Sequence, residues 1–416
     1  MQQFQQKTDI TIKNSFLQTQ FIDWRTQPKS FKTYPKFFRR YPLDEFEELK
    51  FIKDFGKITE KKVYGNEEVV LRATPSAGAL YPCEIYIQIR GIKNLLSGIY
   101  HYEPLNDSLT LIHELSNDGL EYYFETDSKK FIFLISNVYF RTSWKYENRA
   151  IRYLLLDTGH QLGAICSALK KEAIPFDFSF NFNKKRLNEA FGFEEQEFFQ
   201  GAILVDNEKD TKYKNLRERL VTVSPTDYFI KNHFLEEFSK LLENLIFDEI
   251  KPLHLLDDID KKSLQRSINK RRSIRVFEKK PITKEEFDFL TKDIFERSKS
   301  LGIEVFFINN NVKNLELGVY KNVNLVSKGD FKGLSTRLAF NQKLGESSCF
   351  TLIFTSKKES NLFQDYIISG FLAHIINLRA TSLAIGCSGI GAFFDDECQR
   401  NLKTTNNILY LQAVGR

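Results

Sequence analysis

The chain has 416 residues, more than one hydrophobic core usually supports, so roughly two domains are expected. Hydrophobic residues make up 42% and charged residues 27%, which is typical of a globular protein. The net charge of +6 arises from 60 basic and 54 acidic residues that are interspersed. This pattern argues against a dedicated nucleic-acid-binding protein, in which the basic excess is concentrated on one face.

Cysteine usage and the N-terminal residues indicate the compartment. The five cysteines show no C-x-x-C spacing, which argues against a disulfide framework and a zinc knuckle and fits a reducing environment. Residues 1–7 contain no apolar signal region, and no apolar run approaches the length of a membrane span. We therefore expect a cytoplasmic protein with no metal site, no membrane contact and no nucleic-acid partner.

The first half of the chain predicts an α+β unit. Residues 1–45 are polar and aromatic and predict an irregular segment that wraps the surface. Alternating β-branched and aromatic residues indicate strands, and apolar residues at helical spacing indicate a long helix. The predicted elements are a short helix at 44–54, strands at 84–90, 108–113 and 131–136, a helix at 149–171 and a strand at 199–205.

The stretch before the first predicted strand is rich in small residues. It contains Pro75, Ser76, Ala77 and Gly78 and ends at Pro82. Small side chains would let the main-chain N–H groups approach a flat or anionic ligand. The alternative is a tight loop-to-strand connection without a chemical role.

The second half of the chain repeats the first. Residues 84–100 align without gaps to residues 304–320, an offset of 220, and Gly159 corresponds to Gly370 at an offset of 211. We therefore predict a wrapping segment at 1–45, a first unit at 46–225, a linker at 226–265 and a second unit at 266–416. Two copies in one chain imply a fused dimer, whose subunit interface has become intramolecular.

A basic cluster opens the second unit. Arg271, Arg272 and Arg275, together with Ser273, can converge on a phosphate group and supply forked donors. A solvated basic turn is the alternative. The first copy offers only Arg39 and Arg40 at the comparable place.

These motifs together resemble the nitroreductase superfamily and, within it, the SagB-type peptide dehydrogenases that form thiazoles and oxazoles. The matching segments are 271–275 (RRSIR), 75–82 (PSAGALYP), 98–102 (GIYHY), 145–146 (KY), 157–160 (DTGH) and 389–393 (GIGAF). The resemblance covers most of residues 20–416. It implies an α+β fold of two tandem FMN-dependent nitroreductase-like units that form an intrachain pseudo-dimer.

The resemblance also implies an FMN site to which each unit contributes different residues. The counterpart of the loop in the second unit is Phe295 to Ser298, which cannot act as that loop, and the first unit lacks the arginine cluster. One flavin site per chain is therefore expected, within one chain or across two chains. The implied cofactor-binding residues are Pro75, Ser76, Ala77, Gly78, Arg271, Arg272, Ser273, Arg275, Gly386, Ser388, Gly389 and Ile390.

For catalysis, the resemblance implies Lys145 and Tyr146, one of which would remove a proton from a thiazoline or oxazoline of a peptide. A bare Lys-Tyr pair is otherwise a surface feature, and the residues do not decide which of the two is the base. The implied partners are a ribosomal precursor peptide that carries azolines, a YcaO-type cyclodehydratase and a leader-binding scaffold, and a homodimer is compatible with the resemblance. Two alternatives stay open: a general NAD(P)H-dependent nitro, quinone or ene reductase, and a flavin-free scaffold subunit.

Overall fold

The computed structural model describes residues 2–15, 22–64, 67–207, 210–251, 255–357 and 361–416. They form two compact units. The N-terminal unit is Asp23–Leu253, and the C-terminal unit combines Met1–Ile22 with His254–Arg416. Within these ranges no helix combines the length and the apolar character that a bilayer crossing requires.

The first 45 residues are not one irregular segment. Helices α1 (Gln2–Thr8) and α2 (Ile12–Ser15) belong to the C-terminal unit. The ring of Phe4 in α1 packs 5.2 Å from that of Phe363, and Ile10 N–H donates a 2.8 Å hydrogen bond to Asp395. The N-terminal unit begins at Asp23, and these contacts place the two helices on the second half of the chain.

The N-terminal unit is built on a seven-stranded sheet. The strands of this unit are β1 (Arg40–Pro42), β2 (Ile58–Tyr64), β3 (Glu67–Arg72), β4 (Cys83–Ile89), β5 (Gly98–Glu103), β6 (Ser108–Glu114), β7 (Lys129–Val138), β8 (Asp177–Ser179) and β9 (Glu197–Asp206). Strands β2 and β3 pair with each other in a separate two-stranded sheet, and the other seven form the large sheet. The strand order in the sheet is β1-β6-β5-β4-β7-β9-β8. All of its pairs are antiparallel.

Helices cover both faces of this sheet. They are α3 (Glu121–Phe124), α4 (Tyr139–Tyr146), α5 (Ala150–Lys171), α6 (Lys184–Phe191) and α7 (His233–Asn244), with 3₁₀ turns at Trp24–Thr26, Leu43–Glu45, Glu47–Phe55, Ala77–Ala79 and Glu147–Arg149. Alternate residues of β7 serve opposite faces. Ile132 and Leu134 cluster with Leu187 of α6, whereas Phe133 packs 5.2 Å from Phe55 on the face that carries α5.

The C-terminal unit has the same kind of architecture. Its strands are β10 (Ile303–Asn309), β11 (Gly318–Lys321), β12 (Asn324–Lys328), β13 (Phe350–Ser356), β14 (Gly386–Ile390) and β15 (Asn407–Gly415). Its further helices are α8 (Lys261–Lys270), α9 (Lys284–Thr291), α10 (Ile294–Ser300), α11 (Lys332–Leu338), α12 (Leu344–Ser347), α13 (Leu362–Ser382) and α14 (Asp395–Leu402). The long helix α13 packs on β13, β14 and β15.

The sequence repeat recurs in the strand order of the two sheets. The order β6-β5-β4-β7-β9-β8 in the first corresponds to β12-β11-β10-β13-β15-β14 in the second. The register agrees as well, since Ile87 pairs with Tyr100 and Phe307, 220 residues later, pairs with Tyr320. The two units are therefore two versions of one α+β arrangement.

The change of offset lies between one strand and the long helix. Strands β7 and β13 begin 221 residues apart, at 129 and 350, whereas α5 and α13 begin 212 residues apart, at 150 and 362. The C-terminal unit is thus shorter where the N-terminal unit contains α4. That helix carries Lys145 and Tyr146.

Residues 226–265, which the sequence predicts to be a linker, include regular secondary structure. They contain α7, which belongs to the N-terminal unit, and the first turn of α8, which belongs to the C-terminal unit. Helix α7 has an Asn232 N-cap and buries Leu235, Phe238 and Leu242. Residues at i, i+3 and i+7 share one face of a helix, which explains why this segment packs.

Candidate functional site

The loop between β3 and β4 has an unusual backbone. Gly78, Ala79 and Tyr81 have φ angles of 64°, 56° and 48°, in the left-handed region that non-glycine residues rarely adopt. A Cβ atom on Gly78 would lie 2.8 Å from the Tyr146 hydroxyl. The loop and the end of α4 are therefore in direct proximity, and a side chain on Gly78 would close the space between them.

A buried carboxyl group on α5 holds this loop. Ser76 Oγ donates a 2.6 Å hydrogen bond to Asp157 Oδ2, and the Ala77 N–H donates one of 3.3 Å to Oδ1. Tyr81 N–H in turn donates to Ser76 Oγ at 2.9 Å. Burial raises the pKa of Asp157 to about 7, against the lowering effect of the hydrogen bonds from Ser76 and Ala77.

A second buried polar group connects the end of the loop to α4. Arg141 Nη1 donates to the Tyr81 carbonyl at 3.0 Å and lies 2.7 Å from Glu84 Oε1. Glu84 also contacts His101 at 2.8 Å. Burial opposes ionisation of Glu84, but Arg141 and His101 outweigh it, so the pKa of this carboxyl is held well below its usual range. The helix that carries the Lys-Tyr pair is thereby tied to the loop and to β4.

Lys145 and Tyr146 form the last turn of α4 and are partly buried. Lys145 Nζ lies 4.6 Å from the ring centre of Trp24 and 5.3 Å from that of Tyr146. Both distances suit cation–π contacts. The ring of Tyr146 packs edge-on against Tyr153 of α5, with centroids 4.6 Å apart. Trp24 thus belongs to the surroundings of the predicted catalytic pair.

The arginine cluster follows α8 in the C-terminal unit. Ser273 forms a parallel bridge with Cys387 of β14, and the Ile274 N–H donates to the Cys387 carbonyl at 3.1 Å. Arg275 Nη1 lies 3.5 Å from Ser388 Oγ. The cluster and β14, predicted separately, are therefore adjacent.

The guanidinium groups of the cluster differ in exposure. Arg271 is buried, with 4% of its surface exposed, and its Nη1 lies 3.3 Å from Ser273 Oγ. Arg272 donates to the Arg271 carbonyl at 2.9 Å. In the described part of the chain no carboxylate forms an ion pair with Arg275. An anion is therefore the natural counterpart of this charge.

The glycines of β14 have packing reasons of their own. A Cβ on Gly389 would lie 1.7 Å from the Tyr410 hydroxyl, and one on Gly386 would lie 2.8 Å from Ile274. Ile390 is buried in the core of the unit. Burial raises the pKa of Cys387 to about 12, although Arg271 acts to lower it, so this thiol is a packing residue and not a nucleophile.

The predicted counterpart of the arginine cluster in the first unit is wrong. Arg40 lies in β1, beside β6, and pairs with Glu103 at 3.0 Å. The cluster of the C-terminal unit lies beside β14, whose counterpart β8 is at the opposite end of the sheet. The two segments are similar only in their position along the chain, because both precede the first strand of their repeat.

The loop's counterpart in the C-terminal unit is a helix. Residues 295–298 lie within α10, immediately before β10. The structure therefore brings together Ser76, Ala77, Gly78 and Tyr146 in one unit and residues 271–275 with 386–390 in the other. Among the described residues no group of three or more His, Cys, Asp or Glu side chains could hold a metal ion.

The functional groups of Asp157, Arg141 and Trp24 are evident only from the structure. Asp157 is the first residue of the motif at 157–160, from which the resemblance implies no role for its carboxyl group. The repeat could have indicated a role for this carboxyl group, because at the offset of 211 its counterpart is the apolar residue Ile368. No local sequence pattern indicates the role of Arg141, since the residues that it contacts, Tyr81 and Glu84, are distant from it in the sequence.

Comparison with known proteins identifies the fold. A crystal structure of a "putative nitroreductase" from Anabaena variabilis superimposes with a TM-score of 0.83, covering 100% of this chain and 99% of that one at 22% identity. The chain therefore has a nitroreductase-type fold of mixed helix and sheet. No family model matches the chain.

Two curated proteins share shorter segments with the chain. A "putative nitroreductase" of Methanocaldococcus jannaschii is 34% identical over 104 residues, which are 23% of this chain and 52% of that protein. An indigoidine synthase of Streptomyces lavendulae is 32% identical over 88 residues, 21% of this chain and 6% of that protein. The chain thus spans about half of the first relative and a small part of the second.

Proposed function

We propose that this protein is an FMN-dependent oxidoreductase, specifically a dehydrogenase that oxidises thiazolines or oxazolines of a ribosomal peptide to the aromatic azoles. The observation that carries the proposal is the approach of the Tyr146 hydroxyl to Gly78. It brings the Lys-Tyr pair, which the resemblance links to azoline oxidation, to the loop that the resemblance links to the flavin ring.

The residues present fit an FMN cofactor. Arg271, Arg272 and Arg275 with Ser273 offer forked donors suited to a phosphate group. Ser76, Ala77 and Gly78 lack large side chains, so the backbone of this loop can approach a flat ring closely. When bound, FMN supplies a two-electron acceptor for the oxidation.

The chain's own part in the reaction is proton removal. Oxidation of an azoline removes one C–H proton and one electron pair with the second hydrogen, so a base must take the proton. Tyr146 and Lys145 are the candidates. An ammonium at Lys145 next to the Tyr146 ring would favour the phenolate of Tyr146, and a desolvated neutral Lys145 is the alternative base.

The substrate and partners follow from this chemistry. A peptide that already carries azolines must come from a cyclisation reaction, so we propose a YcaO-type cyclodehydratase with a leader-binding scaffold as the preceding activity. Pairing of two chains belongs to the same proposal.

One experiment tests the cofactor. The purified chain should be yellow, with the visible absorbance bands of a flavin, and acid extraction should release one FMN per chain. Two FMN per chain would contradict the division of the site between the two kinds of unit. A colourless protein that cannot be loaded with FMN would overturn the proposal and favour a scaffold role.

A second candidate is a general reductase that uses NAD(P)H. Sequence similarity to the M. jannaschii protein named as a nitroreductase favours it. Anaerobic addition of NADPH separates the two functions, because a reductase would bleach its flavin rapidly. Retained colour with NADPH, together with conversion of a synthetic azoline peptide to the azole, would support the dehydrogenase.

A further inference from the structure

Asp157 is a buried carboxyl group that serves the loop of residues 75–82. Only 4% of its surface is exposed. The hydrogen bonds that it accepts within the described residues come from Ser76 Oγ at 2.6 Å and the Ala77 N–H at 3.3 Å. Both oxygens of the carboxylate are thus directed at successive loop residues.

Asp157 differs from the other buried carboxylates of its unit. Five of them pair with an arginine or a lysine, in Glu84–Arg141, Glu121–Arg90, Glu197–Lys32, Asp54–Lys171 and Glu103–Arg40, at 2.7, 2.9, 2.8, 2.6 and 3.0 Å. The other two, Asp118 and Glu236, lie 2.9 and 3.4 Å from a ring nitrogen of His113 and His233. No such ion pair is found for Asp157 in the described part of the chain. A buried carboxylate without a counter-cation reduces stability unless it is neutralised.

The space beside Asp157 is too small for more than minimal solvation of its carboxylate by water. The cavity beside it has a volume of about 10 Å³, room for about one water molecule. The titratable groups that line this cavity are Arg72, Tyr81 and Cys83. Arg72 interacts electrostatically with Glu84 and Tyr81, and burial raises the pKa of the Cys83 thiol further above that of an exposed thiol. The lining residues therefore leave the charge of Asp157 largely uncompensated.

The repeat provides an internal comparison. At the offset of 211 that aligns Gly159 with Gly370, Asp157 corresponds to Ile368 of α13. The C-terminal unit has helix α10 where the N-terminal unit has the loop. The carboxyl group is thus present where the loop is present, and an apolar residue stands at its position where the loop is replaced.

We propose that Asp157 is a positioning residue, which holds Ser76 and Ala77 in the conformation that receives the cofactor and which the chain retains at a cost in stability. The inference rests on the proposed FMN site. Opposition between stability and function is common at sites that bind ligands.

The protonation of Asp157 determines how the stability of the protein changes with pH. Because burial raises the pKa of Asp157 to about 7, the folded state binds its proton more tightly than the unfolded state does. Stability is therefore highest below the ordinary aspartate pKa and is lost as the pH rises to about 7. Above that pH the carboxylate accepts both loop hydrogen bonds but carries an uncompensated buried charge.

The test is the isosteric variant Asp157→Asn. We expect its melting temperature to exceed that of the wild type at about pH 8 and to match it at about pH 5, since only the ionised form is penalised. We expect its FMN dissociation constant to rise about tenfold at about pH 8, a loss typical of one charge-assisted hydrogen bond. The wild type should bind FMN more tightly at pH 8 than at pH 6, relative to the variant.

Two further variants separate positioning from packing. Ser76→Ala should weaken FMN binding without the gain in melting temperature. Asp54→Asn removes a buried aspartate that has a lysine partner, and it should lower the melting temperature and leave FMN binding unchanged.

Hydrogen exchange of loop amides 75–81 in the cofactor-free protein gives a readout that does not depend on FMN. Faster exchange in Asp157→Asn is expected. Exchange equal to that of the wild type, or a lower melting temperature at both pH values, would overturn the inference. A wild type that never binds FMN would instead refute the proposed function, and the exchange measurement would still decide the role of Asp157.

Discussion

Tyr146 closes the space above Gly78. Its hydroxyl lies 2.8 Å from the position at which a Cβ atom of residue 78 would stand, and Gly78 has a φ of 64°. The requirement for glycine here is therefore twofold: a left-handed backbone and a neighbour that leaves no room for a methyl group. Either factor alone would disfavour a side chain.

The variant Gly78→Ala should lower the free energy of unfolding by about 1–3 kcal/mol, through backbone strain and the contact with Tyr146. It should also weaken FMN binding, because the loop or the tyrosine must move. Urea unfolding and flavin titration measure the two effects.

A matched control exists at Gly91. This glycine has a φ of 72°, and a Cβ on it would meet no atom within 4 Å. Gly91→Ala should therefore show the backbone cost alone, about 1 kcal/mol, with unchanged FMN binding. If the double variant Gly78→Ala with Tyr146→Phe is no more stable than Gly78→Ala, the steric half of the explanation is wrong.

Tyr146→Phe should retain FMN and lose azoline oxidation by about 10²–10⁴-fold, the range of a missing general base. The phenyl ring keeps its contact with Tyr153, so the fold should be unaffected. Lys145→Ala should also lower the rate. Single-turnover absorbance changes of the bound flavin with an azoline peptide measure both.

Tyr122→Phe is the control for the loss of a hydroxyl. Tyr122 is exposed, and the substitution should leave the rate unchanged. Full activity of both Tyr146→Phe and Lys145→Ala would remove the pair from the mechanism.

Local pattern predicted most of the fold, because strand alternation, helical spacing and the repeat are recorded along the chain. The aligned residues 84–100 and 304–320 even share their pairing register. The role of Asp157 could not be predicted in this way, since its partners Ser76 and Ala77 are about 80 residues distant and meet it only in the folded unit. The packing of the N-terminal segment could not be predicted for the same reason, because Phe4 contacts Phe363, which is far away in the sequence.

Arg275→Ala should weaken FMN binding by about 1.5–3 kcal/mol if its guanidinium contacts the phosphate. Riboflavin, which lacks the phosphate, should bind the wild type and the variant equally. Arg297→Ala, at an exposed position on α10, is the matched control and should leave both affinities unchanged. An equal loss of riboflavin affinity in Arg275→Ala would show that the arginine acts on the fold and not on the phosphate.

The ion pair of Glu84 and Arg141 predicts a stability that depends on pH. Arg141→Met would leave Glu84 buried beside His101 without its guanidinium partner, and removal of one member of a buried pair costs about 3–5 kcal/mol. Because the pKa of Glu84 is lowered, the pair stabilises the protein above the ordinary glutamate pKa of about 4. That contribution is lost as the pH falls toward the lowered value.

The stability difference between wild type and Arg141→Met should therefore be largest near neutral pH and should shrink below about pH 4, where Glu84 of the variant is protonated. Urea unfolding at several pH values measures it. The control is Arg219→Met, which removes an exposed arginine that pairs with Glu194 at 3.1 Å and should change stability by less than about 1 kcal/mol. A difference that does not vary with pH would show that Arg141 stabilises the unit through its carbonyl contacts to residues 81 and 225, and that ionisation of Glu84 contributes little.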